Sequence, residues 1–278
     1  MMLFDSHTHL NNETYNPEQR EALFQAIQSS SVSYVMDIGF DLASSAMALD
    51  HAKRFSWCFA VVGCHPHEAS GFDHDQLQLL EELARHPKAK AIGEIGLDYY
   101  RNLSPKEDQQ YWFSQQIQLA NQLQMPIVIH DRDAHEDVMR ILKEEGAFSS
   151  QRRSGFPKRP GDLQEEDARV LLHCYSGSKE QALQYIKLGA TISVAGPVTF
   201  DNARRLQDVV REVPLDYLLI ETDAPYLTPV PHRGKPNQSP YVEHVARKVA
   251  EIKGISYEEV ARKTRENGQR FFDISDSE

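Results

Sequence analysis

The chain has 278 residues, of which 40% are hydrophobic and 26% are charged, a balance that excludes a disordered or fibrous protein and is typical of a globular protein with a large core. Thirty basic and 41 acidic residues give a formal net charge of −11, which argues against non-specific attraction to a polyphosphate. A nucleic-acid enzyme is not excluded, because bound divalent cations reverse the local sign of a site.

Short runs rich in Val, Ile and Leu alternate along the chain with longer stretches of helical period. This alternation indicates parallel strands joined by crossover helices. Eight such pairs predict an α/β protein with a closed (β/α)8 TIM barrel, one domain over residues 1–278, and leave a doubly wound open sheet as the alternative. The predicted strands are residues 2–6, 33–38, 58–62, 89–94, 126–130, 170–173, 190–194 and 217–221.

Two serine-proline pairs mark predicted helix starts. Ser104 and Pro105 have the order of an N-cap and a first-turn proline, and an apolar stripe of helical period follows them. The same order recurs at Ser239 and Pro240. Gly254 stands where the second of these helices is expected to stop, because glycine accepts the left-handed conformation of a helix end.

Residues 148–167 interrupt the alternation with a segment that has no periodicity, a basic first half and an acidic end. This composition predicts a flexible surface insertion. Because the segment runs from the fifth helix to the sixth strand, we expect it on the N-terminal face of the barrel, where its deletion would leave turnover nearly intact. Its basic residues, which we expect to be solvated, are Arg152, Arg153, Lys158 and Arg159.

Imidazole and carboxylate groups recur at the ends of five predicted strands. Two histidines separated by one residue follow the first strand, and on an extended chain they project to the same side. Each candidate alone has an ordinary explanation as a cap, a turn residue or a core histidine. Their convergence on one barrel face favours a metal centre, since buried ionisable groups need partners. The candidates are His7, His9, Glu94, His130, His173 and Asp223.

Four imidazoles and two carboxylates without a thiolate suit Mg, Mn, Zn, Ni or Co. They are too many ligands for one tetrahedral ion with an open position, so we expect two divalent metal ions per chain. Glu94 has the central strand position, and a carboxylate bridges two cations readily with its two oxygens. It is therefore the predicted bridge.

The chain resembles the TatD family of metal-dependent hydrolases and deoxyribonucleases, over nearly its whole length from Phe4 to about Phe272. The resemblance lies in six runs that occur in this order: FDSHTHL, VGCHPH, IGEIGLDYYR, PIVIHDRDA, LLHCYSG and ETDAPYL…RGKPNQSPYV. The chain departs from the family in the 148–167 insertion and at Cys174-Tyr175, where a phenylalanine often follows the cysteine. These departures affect the expected substrate preference rather than the metal ligands.

The resemblance implies a two-metal phosphodiesterase site and deoxyribonuclease action, exonucleolytic on single strands or frayed ends. It implies that His7, His9 and Asp223 hold one ion and that Glu94 bridges to the other. The second ion would be held by His130 and His173. Asp223 is the candidate for the group that takes and returns a proton.

A second group of residues, in loops on the same face, is predicted to contact the substrate. The pair in GCHPH is a candidate for binding phosphate oxygens or for fixing a ligand, and residues close to Glu94 would line the pocket. Backbone N–H groups at the start of the sixth helix and basic loop residues would attract a polyanion. Each has the alternative of being an ordinary solvated residue. The candidates are His65, His67, Asp98, Tyr99, Arg101, Tyr175, Ser176, Arg233 and Lys235.

Two other functions stay open at the level of the sequence. One is hydrolysis of an amide or ester, such as an aminoacyl ester on tRNA, since the same barrel and metal pair serve those reactions. Dinuclear amidohydrolases often bridge their ions with a carbamylated lysine, whereas Glu94 stands at that strand here, which favours phosphodiesters. The other is a metal-binding scaffold, which would have no need of an open dinuclear centre.

The cysteines and the N-terminus favour a cytoplasmic protein. Cys58, Cys64 and Cys174 are odd in number and widely separated, which favours a reducing compartment. The chain meets Asp5 before an apolar run long enough for a signal peptide develops. No stretch of about 18 apolar residues is found, so we expect no membrane span. We also expect a DNA substrate, no obligate protein partner and a monomer.

Overall fold

The computed structural model describes residues 2–159 and 166–275. In these ranges eight parallel strands pair in the order β1 to β8, which confirms the predicted TIM barrel. The strands are β1 Leu3–Thr8, β2 Val32–Ile38, β3 Cys58–Val62, β4 Ala89–Asp98, β5 Ile127–Arg132, β6 Val170–Leu172, β7 Thr191–Val194 and β8 Leu218–Ile220. The helices are α1 Pro17–Gln28, α2 Leu42–Arg54, α3 His74–Ala84, α4 Lys106–Leu123, α5 His135–Glu144, α6 Ser150–Ser154, α7 Lys179–Lys187, α8 Arg204–Glu212, α9 Val242–Lys253 and α10 Tyr257–Phe272.

The barrel closes between its first and last strands. A parallel bridge joins Thr8 to Ala224, and the His9 N–H donates to the Ala224 carbonyl at 2.8 Å. On the same seam the Asp223 N–H donates to the His7 carbonyl at 2.9 Å. Closure therefore places His7 in β1 and His9 just after it directly beside Asp223, although the chain separates them by more than 200 residues.

The apolar interior of the barrel leads directly into a polar layer. Inward side chains follow the strand period of two, so buried Val128 is followed by His130, and buried Leu171 is followed by His173. Apolar residues fill the N-terminal half of the interior. The same strands therefore present their next inward side chains, which are ionisable, at the C-terminal end.

Helix α10 closes the N-terminal end of the barrel. Phe271 and Phe272 belong to the interior cluster, and the Phe272 ring stacks on the ring of Phe4 at 5.9 Å between centroids. Gly268 lets this helix approach, because a Cβ at that position would lie 2.9 Å from the Phe4 ring. Among the described residues, no helix has the length and apolar character needed to cross a membrane.

Helix α4 begins one residue later than the serine-proline pattern predicted. Pro105 is its N-cap and makes no side-chain capping bond, so the prediction that Ser104 caps this helix is wrong. The Ser104 hydroxyl instead donates to the His67 carbonyl at 2.7 Å and accepts from the Ser70 N–H at 3.0 Å. A tertiary contact has replaced the local cap, and it ties the start of α4 to the loop that follows β3.

The second serine-proline pair starts a 3-10 turn rather than the helix itself. This turn covers Ser239–Tyr241, and α9 follows it directly from Val242. Ser239 is buried and provides no side-chain cap to α9. The predicted end at Gly254 is confirmed, since this residue has a φ of 66° in the left-handed region.

The first half of the insertion is anchored to the barrel, so the prediction that its basic residues are solvated is wrong for Arg152. This residue lies in α6 and is 3% exposed. Its guanidinium donates to the Ala168 carbonyl at 3.1 Å, to Asn121 Oδ1 at 2.9 Å and to the Met125 carbonyl at 2.7 Å. Two of these acceptors precede the strands β5 and β6, which confirms the expected position on the N-terminal face.

Arg159 is likewise buried, at 5% exposure. It donates to the Asp216 carbonyl at 3.0 Å and to Thr191 Oγ1 at 2.9 Å, and it pairs with the buried carboxylate of Asp167 at 3.2 Å. Residues 160–165 of the predicted insertion lie outside the described residues. Deletion of the whole segment would remove these anchors and is therefore expected to lower the stability of the fold.

Replacing Arg152 with alanine is expected to lower the free energy of unfolding by at least about 2 kcal/mol, because it leaves buried carbonyl groups without donors. Turnover of the folded variant should be retained, since Arg152 lies at the end of the barrel opposite the polar layer. Denaturant unfolding measures the loss. Arg153→Ala is the matched control, because its ion pair with Glu166 is partly exposed and should contribute little. Equal stability of the two variants would contradict the anchoring role.

Candidate metal centre

The structure brings the six predicted metal ligands together at the C-terminal end of the barrel. His7 lies in β1, His130 lies in β5, and His9 and His173 directly follow β1 and β6. Glu94 was predicted at the end of a strand, but β4 continues to Asp98, so that prediction is wrong. The carboxylate lies inside β4, at the point where the register with β5 shifts between Ile92 and Ile95. Glu94 is therefore part of this irregular stretch, and its side chain faces His130 and His173.

The first group of ligands consists of His7, His9 and Asp223. The two Nε2 atoms of the histidines are 3.3 Å apart. Asp223 Oδ1 lies 3.7 Å from His7 Nε2 and 3.4 Å from His9 Nε2. His9 Nδ1 lies 2.9 Å from the Ile38 carbonyl, a contact that fixes the ring with Nε2 toward the cluster. Three ligand atoms thus face one small volume, as a cation site requires.

The second group surrounds the other side of Glu94. His173 Nε2 lies 2.7 Å from Glu94 Oε1, and His130 Nδ1 lies 2.8 Å from the same oxygen. His65, which the sequence indicated as a phosphate contact, is also here, with its Nε2 at 3.6 Å from Glu94 Oε1. Its Nδ1 accepts a hydrogen bond from the His67 N–H at 3.1 Å, so the loop after β3 holds the ring in place.

The two oxygens of Glu94 face different nitrogen groups. Oε2 lies 3.4 Å from His7 Nε2 and 3.9 Å from His9 Nε2. Oε1 faces His130 and His173, as described above. The carboxylate is buried, and its side chain is 5% exposed. This division is the geometry that the predicted bridge requires.

The electrostatics of the cluster keep Glu94 ionised. Burial opposes the charged form, but the imidazoles of His173, His65 and His7 outweigh it and hold the pKa of Glu94 well below its usual range. His65 also faces the carboxylate of Glu94, which by itself would raise the pKa of the histidine, but the pKa of His65 is lowered. Burial, and then the neighbouring His130, lower the pKa of His65 well below its ordinary value. A neutral imidazole is the form that binds a metal ion.

Asp98 connects two of the predicted residues. Its Oδ2 lies 3.1 Å from His130 Nε2 and 2.9 Å from His67 Nε2, and its Oδ1 accepts from the Arg101 N–H at 2.7 Å. Burial opposes ionisation of Asp98, but the contact with His130 outweighs it and lowers the pKa of Asp98. A carboxylate behind a ligand histidine orients the ring and fixes its tautomer. Asp98 is thus placed to orient His130, and it is fully buried rather than lining an open pocket.

Glu221 is a site residue that the sequence analysis missed. It is fully buried, and its Oε1 lies 3.2 Å from His173 Nδ1, while its Oε2 accepts from Ser193 Oγ at 2.5 Å. Burial opposes protonation of His173, but the carboxylates of Glu94 and Glu221 outweigh it and raise the pKa of His173 well above its usual value. A signal was present, because Glu221 stands two residues after inward-facing Leu219 and two before Asp223.

Replacing Glu221 with glutamine is expected to lower metal affinity about 10- to 100-fold, the usual effect of removing a charged partner behind a ligand histidine. The variant keeps the shape of the side chain, so the fold should be retained. Competition with a chromophoric chelator measures the affinity. Glu251→Gln is a control on the exposed side of α9. Metal affinity equal to that of the unmodified chain would exclude a positioning role for Glu221.

Asp5 is a second buried acid that was not predicted as a site residue. Its Oδ1 accepts from the Thr222 N–H at 2.9 Å, and its Oδ2 accepts from the Thr222 hydroxyl at 2.6 Å. Burial raises the pKa of Asp5 to about 7 against these hydrogen bonds. The contact joins β1 to the residue before Asp223, and so it fixes the register of the seam that carries the first ligand group.

The structure does not bring all of the predicted substrate contacts to the cluster. The Tyr99 hydroxyl donates to Asp137 Oδ2 at 2.8 Å, between α4 and α5. The Tyr175 hydroxyl donates to the Ser178 carbonyl at 2.8 Å and closes the turn before α7. Ser176 is exposed, and its hydroxyl is 3.4 Å from the Asp131 carbonyl. The two tyrosines therefore direct their hydroxyl groups into local structure.

The predicted basic residues lie on the rim. Arg101, Arg233 and Lys235 are exposed in the loops that follow β4 and β8. The Arg233 guanidinium lies over the ring of Phe200 at 4.1 Å. His67, bound to Asp98, is partly exposed beside them. These residues face solvent at the mouth of the barrel, above the buried ligand groups.

The residues present suit divalent cations. Three ligand groups in which the candidate atoms lie within 4.8 Å of one another consist of imidazole nitrogens and carboxylate oxygens alone. This donor set suits Mg, Mn, Zn, Ni or Co. The Nε2 atoms of His7 and His9 are 3.3 Å apart. Two neutral imidazoles that both direct a lone pair into this space cannot hydrogen-bond to each other. A cation between them would accept both lone pairs.

The comparisons with known proteins agree with this geometry. The family model described as TatD related DNase matches residues 4–273. The chain is 41% identical over 274 residues to the uncharacterized metal-dependent hydrolase YabD of Bacillus subtilis, covering 99% of this chain and 100% of the relative. It is 31% identical over 278 residues to the 3'-5' ssDNA/RNA exonuclease TatD of Klebsiella pneumoniae, covering 98% of both.

A solved structure agrees as well. The TatD homologue YJJV from Escherichia coli superimposes with a TM-score of 0.85 at 26% identity, covering 98% of both chains. The match of a family model over nearly the whole chain, the sequence relatives and the barrel with its ligand groups all point to one family. The chain therefore belongs to the TatD related DNase family and is a metal-dependent hydrolase.

Proposed function

We propose that this hydrolase cleaves phosphodiester bonds of single-stranded or frayed nucleic-acid ends, with two divalent ions held at the C-terminal end of the barrel. The observation that carries the proposal is the division of the Glu94 oxygens between two nitrogen groups, at 3.4 Å from His7 and 2.7 Å from His173. A single ion would need only one of these groups. A carboxylate between two groups is the arrangement of a two-metal phosphodiesterase site.

The ligands divide around Glu94 in this proposal. One ion would be held by His7, His9 and Asp223, and the second by His130 and His173, with His65 beside it. Ions at these positions would supply Lewis acidity, which would lower the pKa of a water molecule and neutralise charge on phosphate oxygens. The chain itself supplies the fixed geometry, through Asp98 behind His130 and Glu221 behind His173.

Asp223 is the proposed proton acceptor. Its side chain is 14% exposed, against 5% for Glu94, so it is the acid nearer to the opening through which water and substrate enter. Burial opposes its ionisation, but the contact with His9 outweighs burial and lowers the pKa of Asp223. It is therefore a carboxylate at neutral pH and can accept the proton that the attacking water loses.

The direction of cleavage is proposed from the relative. The Klebsiella pneumoniae protein is named a 3'-5' ssDNA/RNA exonuclease, and we propose the same direction and the same tolerance of DNA and RNA here. We further propose a monomer that works in the cytoplasm without an obligate protein partner. The free thiols of Cys58, Cys64 and Cys174 support a reducing compartment.

Removal of metal is the test of this function. Exhaustively chelated protein should lose hydrolysis of a labelled single-stranded oligonucleotide, and added Mg²⁺ or Mn²⁺ should restore it. The panel should include duplex DNA, RNA, aminoacyl-tRNA and a simple amide, each with the same metal. Activity that survives proven absence of metal would refute the centre, and activity on the ester or amide alone would favour the other hydrolytic chemistry.

A further inference from the structure

Two exposed tyrosines stand on opposite sides of the barrel mouth, and the metal centre does not use either of them. Tyr226 is 54% exposed in the loop after β8, and Tyr100 is 63% exposed in the loop after β4. In the strand order of the barrel, β4 lies across the mouth from the seam between β8 and β1. Exposed aromatic rings at the mouth of a site offer flat faces on which the bases of an unpaired strand can stack.

Tyr226 is held rigidly although its ring faces solvent. Its hydroxyl accepts from Asn12 Nδ2 at 3.0 Å, and its N–H donates to the Asp223 carbonyl at 2.8 Å. Its carbonyl accepts from Asn237 Nδ2 at 2.6 Å. The ring centroid is 6.2 Å from that of His9. A flat apolar surface is therefore fixed directly beside the first ligand group, with little conformational entropy left to lose on binding.

Tyr100 forms the second surface together with Arg132. The Arg132 guanidinium lies 4.1 Å from the centroid of the Tyr100 ring. Tyr100 follows Asp98 by two residues, and Arg132 follows His130 by two. Asp98 pairs with Arg132 in the sheet. Tyr100 and Arg132 therefore lie at the C-terminal ends of β4 and β5, above the site. Within the described residues Arg132 forms no ion pair with a carboxylate, and its exposed charge suits a phosphate.

We propose that Tyr226 and the pair of Tyr100 and Arg132 are two stacking platforms that hold successive bases of a single strand across the mouth of the barrel. Tyr226 stacks on the base next to the phosphate that is cleaved, because it is beside the first ligand group. Tyr100 stacks on a base farther along the strand, and Arg132 binds a backbone phosphate there. Every base has a stacking face, so these platforms require an unpaired strand but no particular sequence. This inference rests on the proposed nuclease function.

The test combines tyrosine variants with missing bases. The metal-loaded chain, Tyr226→Ala and Tyr100→Ala are compared on a fluorescent oligothymidylate and on the same strand with abasic residues at its 3' end. Each variant should lose about 10- to 100-fold in affinity and in single-turnover cleavage of the intact strand. On the abasic strand Tyr226→Ala should lose no more than about twofold, because the partner of the ring is already absent. Tyr226→Phe keeps the ring and should restore most of the affinity.

Tyr111→Ala is the matched control. Tyr111 is 46% exposed on α4, outside the barrel, and its hydroxyl contacts His74. Equal losses on intact and abasic strands, or no loss in either tyrosine variant while the unmodified chain cleaves DNA, would overturn the platforms and leave the nuclease function standing. If the metal-loaded unmodified chain neither binds nor cleaves any strand, both proposals fail. Binding without cleavage would refute the nuclease function, and the affinities alone would then decide the platforms.

Discussion

Replacing Glu94 with alanine is expected to reduce turnover to below about a thousandth of that of the unmodified chain, a larger loss than for His7→Ala. Glu94 faces both nitrogen groups, at 3.4 Å from His7 and 2.8 Å from His130. His7→Ala removes one of three ligands from one group, whereas Glu94→Ala removes the ligand common to both. Glu94→Ala also leaves buried imidazoles without their carboxylate, so each group should bind its cation less tightly.

The two variants are compared by metal content and by turnover on the same preparation. Glu94→Gln is the control for shape, because it keeps the volume and one carbonyl oxygen but cannot present two anionic oxygens. It should resemble Glu94→Ala in turnover and the unmodified chain in thermal stability. A Glu94→Ala protein that retains two ions per chain with near-normal turnover would remove Glu94 from the bridging position.

Asp223→Asn is expected to slow the chemical step about 10²- to 10⁴-fold while affinity for a single strand changes little. Asparagine keeps the size and one oxygen of the side chain but cannot accept a proton from water. Asp223 is ionised at neutral pH because His9 lowers its pKa against the effect of burial. Strand affinity should be retained, because the exposed groups on the rim, such as Arg101 and Arg132, are unaltered.

Single-turnover cleavage and equilibrium binding are measured on one metal-loaded sample, and the metal content is determined in parallel. Near-normal cleavage would rule out proton transfer by Asp223. A loss that added metal restores completely would leave Asp223 as a ligand only. Asp201→Asn is a suitable control, since Asp201 is an exposed carboxylate in a loop on the same face and should have no effect on either measurement.

The predicted barrel and the convergence of its ligands were obtained from local pattern alone. Alternating apolar strands and helical stretches predict the barrel, and in a parallel barrel every strand ends on the same face. Residues such as His130 and His173, at or just beyond the predicted strand ends, must therefore meet whatever the details of packing. The end of a strand is not a local property, because the length of β4 depends on its pairing with β5, which continues to Arg132.

The assignment of polar partners was beyond the sequence. Glu221 contacts His173 at 3.2 Å although their strands, β8 and β6, are separated by β7. The strand period indicates that Glu221 faces inward but not which residue it contacts. His65 faces Glu94 because the turn after β3 directs its ring inward. Tyr99 directly follows Asp98 in the same motif, but its hydroxyl faces away from the ligand groups, toward α5. Such side-chain directions depend on segments far apart in the chain.

The sequence by itself determined the barrel and the convergence of the six candidate ligands on its C-terminal face, because strand period and strand direction are local properties. The tertiary structure alone decided which nitrogen faces which oxygen of Glu94. It also decided that Arg152 is buried, where composition indicated a solvated loop. The physical reason is that a guanidinium can satisfy several backbone carbonyls at once, and only the folded chain brings those carbonyls together.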